Sequence, residues 1–144
     1  MKLHRLEMLF PFGGFLLDSI TLDPDHVRVT LRRHRRKRVP CHMCGASMTI
    51  YRETIQSVRD LPLGTAKDVR IIYPALLARY PVCRGIETIL PPGIQPHAKA
   101  TDRLMRQVSL LARFLPISQV SQVTGIPPAT ARRWDCLLYT SRRG

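Results

Sequence analysis

The feature that most constrains this chain is Cys41-His42-Met43-Cys44-Gly45. Two cysteines two residues apart, with a glycine straight after the second, read as one half of a zinc knuckle. A structural zinc site takes four ligands, usually from two such pairs. Only Cys83 and Cys136 remain to complete it. Cys83 follows the last β-prone segment, in "RYPVCRG", where a second knuckle belongs. The partner position three residues earlier is Tyr80, which is not a usual zinc ligand. His42 and His97 are poor substitutes, and Cys136 reads as a buried thiol in a helix. The expected metal ligands are therefore Cys41, Cys44 and Cys83. The expected cofactor is Zn²⁺, bound weakly because the fourth ligand is missing at Tyr80. A redox dithiol is the competing reading, but it prefers a helix N-terminus in a βαβ setting, and a basic strand precedes this pair.

On either side of the knuckle the pattern is β. Residues 18–38 read as a hairpin, with Ile20 and Leu22 alternating before "DPDH" and Val27, Val29 and Leu31 after it. Asp and Pro supply the turn geometry. The second strand runs into "RRHRRKR". From 48 to 58 the alternation is partial, "DLPLGTAKD" is a turn, and "VRIIYPALLARY" is a further strand, expected to break or bend at Pro74 because proline lacks a ladder donor.

After "LPPGIQPH" the period changes. Thr101 is placed to cap a helix and Asp102 to meet its positive end. Leu104, Val108, Leu111 and Leu115 form one apolar stripe that Pro116 ends. A short helix over 117–124 is closed by Gly125, and another starts near Pro128. This is the pattern of a helix-turn-helix: Ser121 the small contact, Gly125 the turn, and Val120, Ile126, Ala131 and Trp134 the anchors. Thr130, Arg132 and Arg133 are left near the exposed face of the last helix, which would enter a major groove. Pro127-Pro128 replaces the usual Ser or Thr cap, though proline is tolerated at a first helical position.

The chain of 144 residues carries 23 Lys and Arg against 10 Asp and Glu, a formal charge of +13. Such an excess argues for an anionic partner, with nucleic acid favoured over an anionic membrane surface. Aromatics at 6% disfavour a single-strand stacking platform. In the basic run Arg32, Arg33, Arg35, Arg36, Lys37 and Arg38 are expected to contact phosphates, which adds affinity without sequence information. No stretch is long enough to span a membrane, no export signal is evident, and a reducing cytoplasmic setting is expected.

Together "VPCHMCG", "VRDLPLG", "ETILPPGI", "ATDRLMR" and the helical pattern, over about residues 18–135, resemble the N-terminal region of bacterial insertion-sequence transposases of the IS L-three family. The resemblance implies a zinc ribbon and helical unit that binds the ends of the element, association with the nucleoid, and homo-oligomers of the full-length protein. It also implies a downstream ribonuclease-H-like domain whose three carboxylates cut and join DNA. Here Tyr80 stands where that family has a cysteine. The continuation after Asp135, "CLLYTSRRG", departs from it, as a truncated or wrongly joined frame would. The ten acids are scattered and form no two-metal group.

The expectation is an α+β chain: a small β zinc-ribbon-like unit at 18–90 followed by an all-α helix-turn-helix unit at 101–138. A segment at 1–17, a linker at 91–100 and a tail at 139–144 complete it. The expected function is sequence-specific binding of double-stranded DNA, without catalysis by this region. The rivals are a small zinc-ribbon transcriptional regulator, which would need an intact metal site and a dimerisation element, and a zinc-ribbon RNA-binding protein, which would not explain the helices.

Overall fold

The structure is a computed structural model that describes residues 8–35 and 38–141. Five strands come first: β1 (Phe15–Leu22), β2 (His26–Arg33), β3 (Thr49–Asp60), β4 (Asp68–Arg79) and β5 (Ile86–Ile89). Three helices follow: α1 (Asp102–Leu111), α2 (Ile117–Thr124) and α3 (Pro128–Ser141).

β1 and β2 form an antiparallel hairpin whose turn is closed by the Asp23 N–H donating to the His26 carbonyl at 3.0 Å. Val27, Val29 and Leu31 face one side at period two and are buried. β2 then pairs in parallel with β4, Val27 opposite Val69 and Val29 opposite Ile71. β3 flanks β4 antiparallel on its other edge, and β5 joins β4 beyond the end of β2. β4 is thus central, and its near-continuous apolar run is what burial on both faces requires. Phe10, Phe12, Leu17, Ile71, Tyr73 and Ile94 complete this core. Truncating the fully buried Ile71 to alanine removes about 2–5 kcal/mol of stability.

Pro74 does not break β4, so of the break or bend expected there the break is excluded. It pairs with Ile55 of β3 and falls where β4 changes its second neighbour, between Ile72 beside β2 and Leu76 beside β5. A missing donor is tolerated at such a gap.

The fold class also differs from the expectation of a small β unit followed by an all-α helix-turn-helix unit. The molecule is mostly β, a five-stranded mixed sheet with three short C-terminal helices. Those helices are tied to the sheet. Asp60, at the end of β3 and 1% exposed, accepts hydrogen bonds from Thr101 Oγ1 at 2.7 Å and from Arg103 Nε at 2.8 Å, and Arg103 Nη2 pairs with its other oxygen. Arg59 and Ala100 form a parallel bridge, and the Asp102 N–H donates to the Gly93 carbonyl at 2.8 Å. Lys67 Nζ donates to the Gln122 carbonyl of α2. The reason lies in the parallel β2–β4 pairing and the buried Asp60 pair, both contacts distant in sequence that no local period announces.

Thr101 caps α1 by accepting from the Leu104 N–H at 3.3 Å. Gly125 ends α2 in the left-handed conformation, φ 71°. A Cβ there would lie 2.9 Å from Arg59 Nη2, so both backbone and packing call for glycine. Leu104, Val108, Val120, Ile126, Ala131 and Trp134 pack as the helices' own core. Among the described residues no helix is long and apolar enough to cross a membrane.

Candidate metal centre and basic faces

The sheet register builds the cysteine cluster. The first turn, around Cys41 and Cys44, lies just before β3, and the second, Tyr80 to Gly85, just after β4. Because Thr49 pairs with Arg79, the antiparallel ladder brings both turns to one end of the sheet. The first is clamped by a bridge between Pro40 and Ser47. Within it the Cys41 N–H donates to the Ala46 carbonyl at 2.9 Å, and the Gly45 N–H to the Cys41 carbonyl at 2.9 Å. Gly45 takes φ 70°, which the turn needs for its hairpin exit. The second turn repeats these bonds, with Arg84 forced to φ 54° in the place of Gly45.

The sulfurs of Cys41, Cys44 and Cys83 all lie within 4.8 Å of one another, a cluster that can hold a metal ion. Cys41 Sγ and Cys83 Sγ are 3.8 Å apart, too far for a disulfide, and all four cysteines are free of one. Cys41 is buried, and Cys44 and Cys83 are exposed. The backbone N–H groups of Cys44 and Met43, the latter 3.4 Å from Sγ, hold the Cys41 thiol below its ordinary range against the effect of burial. Its hydrogen bond with Cys44, then desolvation and the Cys41 thiol, push Cys83 up to about 12. A first thiolate is therefore favoured at Cys41 and a second is opposed at Cys83, an opposition that a cation among them would offset.

Tyr80 is buried, and its hydroxyl is engaged by Glu87, donating to Oε2 at 2.5 Å. That bond, followed by desolvation and the Glu87 charge, raises the phenol to about 12, so it stays protonated. His42 Nε2 lies 3.7 Å from the other Glu87 oxygen. His97 sits in the segment before α1 and is not part of the cluster. Glu87 was not foreseen from the sequence, where it is an isolated acid on a short strand.

Cys136 was expected to be buried and is instead exposed on α3. The turn of the helix carries it past the Ala131 and Trp134 face that packs on α1 and α2.

The basic residues fall into two groups. Arg32 is exposed, 3.7 Å from Asp18, and Arg33 is half-buried, 3.0 Å from Glu53. Arg35 and Arg38 are exposed, while Arg36 and Lys37 lie outside the described residues. Arg33, Arg35 and Arg38 line one cleft. Thr130, half-buried, with the exposed Arg132 and Arg133, belongs to α3 and to no part of that cleft. Among the described residues, no carboxylate ion-pairs with Arg35, Arg38, Arg132 or Arg133. Comparison of the chain with protein families, curated proteins and solved structures found no match.

Proposed function

We propose that this chain binds double-stranded DNA in a sequence-specific way, as the end-recognition region of a transposase of the kind it resembles. The observation that carries the reading is the pair Arg132 and Arg133. Both are exposed on α3, just after the left-handed turn at Gly125, and neither is neutralised by a described acid. Arginine's fork suits the N7 and O6 edge of guanine. Thr130 begins the same face. Arg32, Arg33, Arg35, Arg36, Lys37 and Arg38 hold phosphates and set orientation. In this reading the region binds without cutting: its acids are scattered, and several are held in ion pairs such as Asp60–Arg103 and Asp68–Arg28. It acts in the bacterial cytoplasm, on nucleoid DNA, within a homo-oligomer of the full-length protein.

The metal of the Cys41, Cys44 and Cys83 cluster is zinc in this reading. A tetrahedron with sulfur–zinc bonds of ~2.3 Å has edges of about 3.8 Å, the separation of Cys41 and Cys83 Sγ. Zinc held there by Cys41, Cys44 and Cys83 would fix the two turns to each other at the end of the sheet.

Salt titration of duplex binding tests the reading. Engagement of about six phosphates gives a slope of log affinity on log salt near −5, from roughly −0.9 per phosphate. A slope near zero, or equal affinity for duplex DNA and a structured RNA of the same length, rejects it.

A further inference from the structure

The cleft at the foot of the basic run has no part in the α3 reading. Its volume is about 540 Å³. One wall is aliphatic, from Leu76 of β4 and Ile89 of β5, with Phe15 opening β1. Arg35 and Arg38 stand at its mouth, both exposed and without a described acid partner. Gly13 and Gly14 form a lip, and a Cβ on either would meet nothing within 4 Å. The His34 N–H donates to the Gly14 carbonyl at 3.2 Å, which sets the imidazole at this lip. Its Nδ1 is buried and has no hydrogen-bond partner. Buried polar atoms are nearly always satisfied, so an unpartnered imidazole nitrogen in the wall of a cleft marks a ring that gains a partner by turning toward a ligand's polar group.

The geometry points to a binding site for a single unstacked nucleotide, its base against Phe15, Leu76 and Ile89, its edge hydrogen-bonded to His34, and its phosphate on Arg35 and Arg38. Each part of the ligand answers a feature of the cleft. An apolar wall replaces the stacking a base loses when it leaves a helix. Paired guanidinium groups suit a phosphate. Pockets of roughly 300–1,000 Å³ enclose a small organic ligand, so this one has room for a nucleotide. A base of duplex DNA reaches such a cleft only by leaving the stack. That source rests on the duplex-binding reading above, whereas a free nucleotide does not.

Two probes separate the sources. One is a DNA hairpin with a single bulged thymidine, compared with the same hairpin fully paired. The other is free thymidine monophosphate. The full chain should bind the bulged hairpin about tenfold more tightly, since an unpaired base need not be extracted. The free nucleotide should shift the His34 ring resonances. Ile89→Trp fills the cleft and should abolish the bulge preference while leaving affinity for the paired hairpin unchanged. Ile50→Trp, from the β3 side of the same cleft, should do the same and serves where the first variant folds poorly. Equal affinity for both hairpins with no response to the nucleotide overturns the site, even where paired DNA still binds. A bulge preference that survives both variants overturns it too. A response to free nucleotide without binding of either hairpin supports the site and rejects the duplex reading alone.

Discussion

Tyr80 and Cys41 occupy the same place in two turns that share their hydrogen bonding. The Tyr80 N–H donates to the Gly85 carbonyl at 3.0 Å and its carbonyl accepts from the Arg84 N–H at 2.8 Å, as Cys41 does with Ala46 and Gly45. Both side chains are buried, and the residue three positions on in each turn is an exposed cysteine. The two turns thus offer four equivalent positions, three of them cysteines that could hold a metal ion and the fourth a phenol turned toward Glu87.

Tyr80→Cys should therefore raise zinc affinity by orders of magnitude, because it adds a fourth thiolate at a position already shaped for one. Metal binding and folding are coupled in such sites. The variant should melt higher than the native chain when zinc is present and lower when it is chelated, since a large buried ring has been lost. Competition against a chelator measures the first effect and calorimetry the second. Equal zinc affinity of the two proteins would mean that residue 80 does not reach the metal.

Much of this arrangement was legible in the sequence, because its signals are local. The spacing of Cys41, Cys44 and Cys83 and the β-prone segment before Cys83 were enough to pair the two turns. Alternation marked the hairpin at Val27, Val29 and Leu31, and period 3.6 marked Leu104 and Val108. What could not be read was the neighbour of each element. β2 pairs in parallel with β4 across the whole of β3, and Asp60 reaches Arg103 from 43 positions away. Those two contacts make one mostly β molecule of the two expected units. Cys136 was misplaced for a related reason, since which helix face is buried depends on the partner helix.

Arg103→Leu should destabilise the chain by about 3 kcal/mol, because it strands a buried carboxylate. Arg103 also lies over the rings of Phe10 and Phe12, at 5.6 Å from each centroid, and donates to the Leu9 carbonyl at 2.7 Å. Asp60→Asn should be milder, as the amide oxygen still accepts from Thr101. The double variant should be less damaged than the sum of the two single ones. Urea denaturation of the three proteins gives the comparison; strict additivity would show that the pair is not coupled.

Asp68 supplies a pH dependence with a defined sign. Burial alone would raise its carboxyl, but hydrogen bonds and charge from Arg28, with Arg70, outweigh it and hold the group below the ordinary carboxylate value of 3.8. Arg28 Nη2 is 3.0 Å from Oδ2 and Arg70 Nε 3.2 Å from Oδ1. A folded value below the unfolded one means that this contribution is present above pH ~4 and is lost as pH falls through the folded value. Asp68→Asn should lower the melting temperature at pH 7, and the native protein should fall toward the variant as acid protonates Asp68. A difference that stays constant down to pH 2 would assign the effect to packing instead.

Arg132 and Arg133 should differ in kind from Arg35. A base-reading arginine contributes about 1–3 kcal/mol of discrimination against the wrong base, so Arg133→Ala or Arg132→Ala should both weaken binding and broaden the set of sequences recovered in a selection from random duplexes. On the proposed reading Arg35 contacts phosphate, so Arg35→Ala should weaken all sequences alike, with the salt slope falling by about one. The contrast follows from position. Arg132 and Arg133 project from a helix whose opposite face is fixed by Ala131 and Trp134 in the core, so their direction is set by packing. Arg35 stands just beyond the end of β2, exposed at the mouth of the cleft, where reach matters more than angle. Should all three variants lower affinity uniformly without changing the selected sequences, α3 would be a phosphate-binding helix and the specificity of the chain would lie elsewhere.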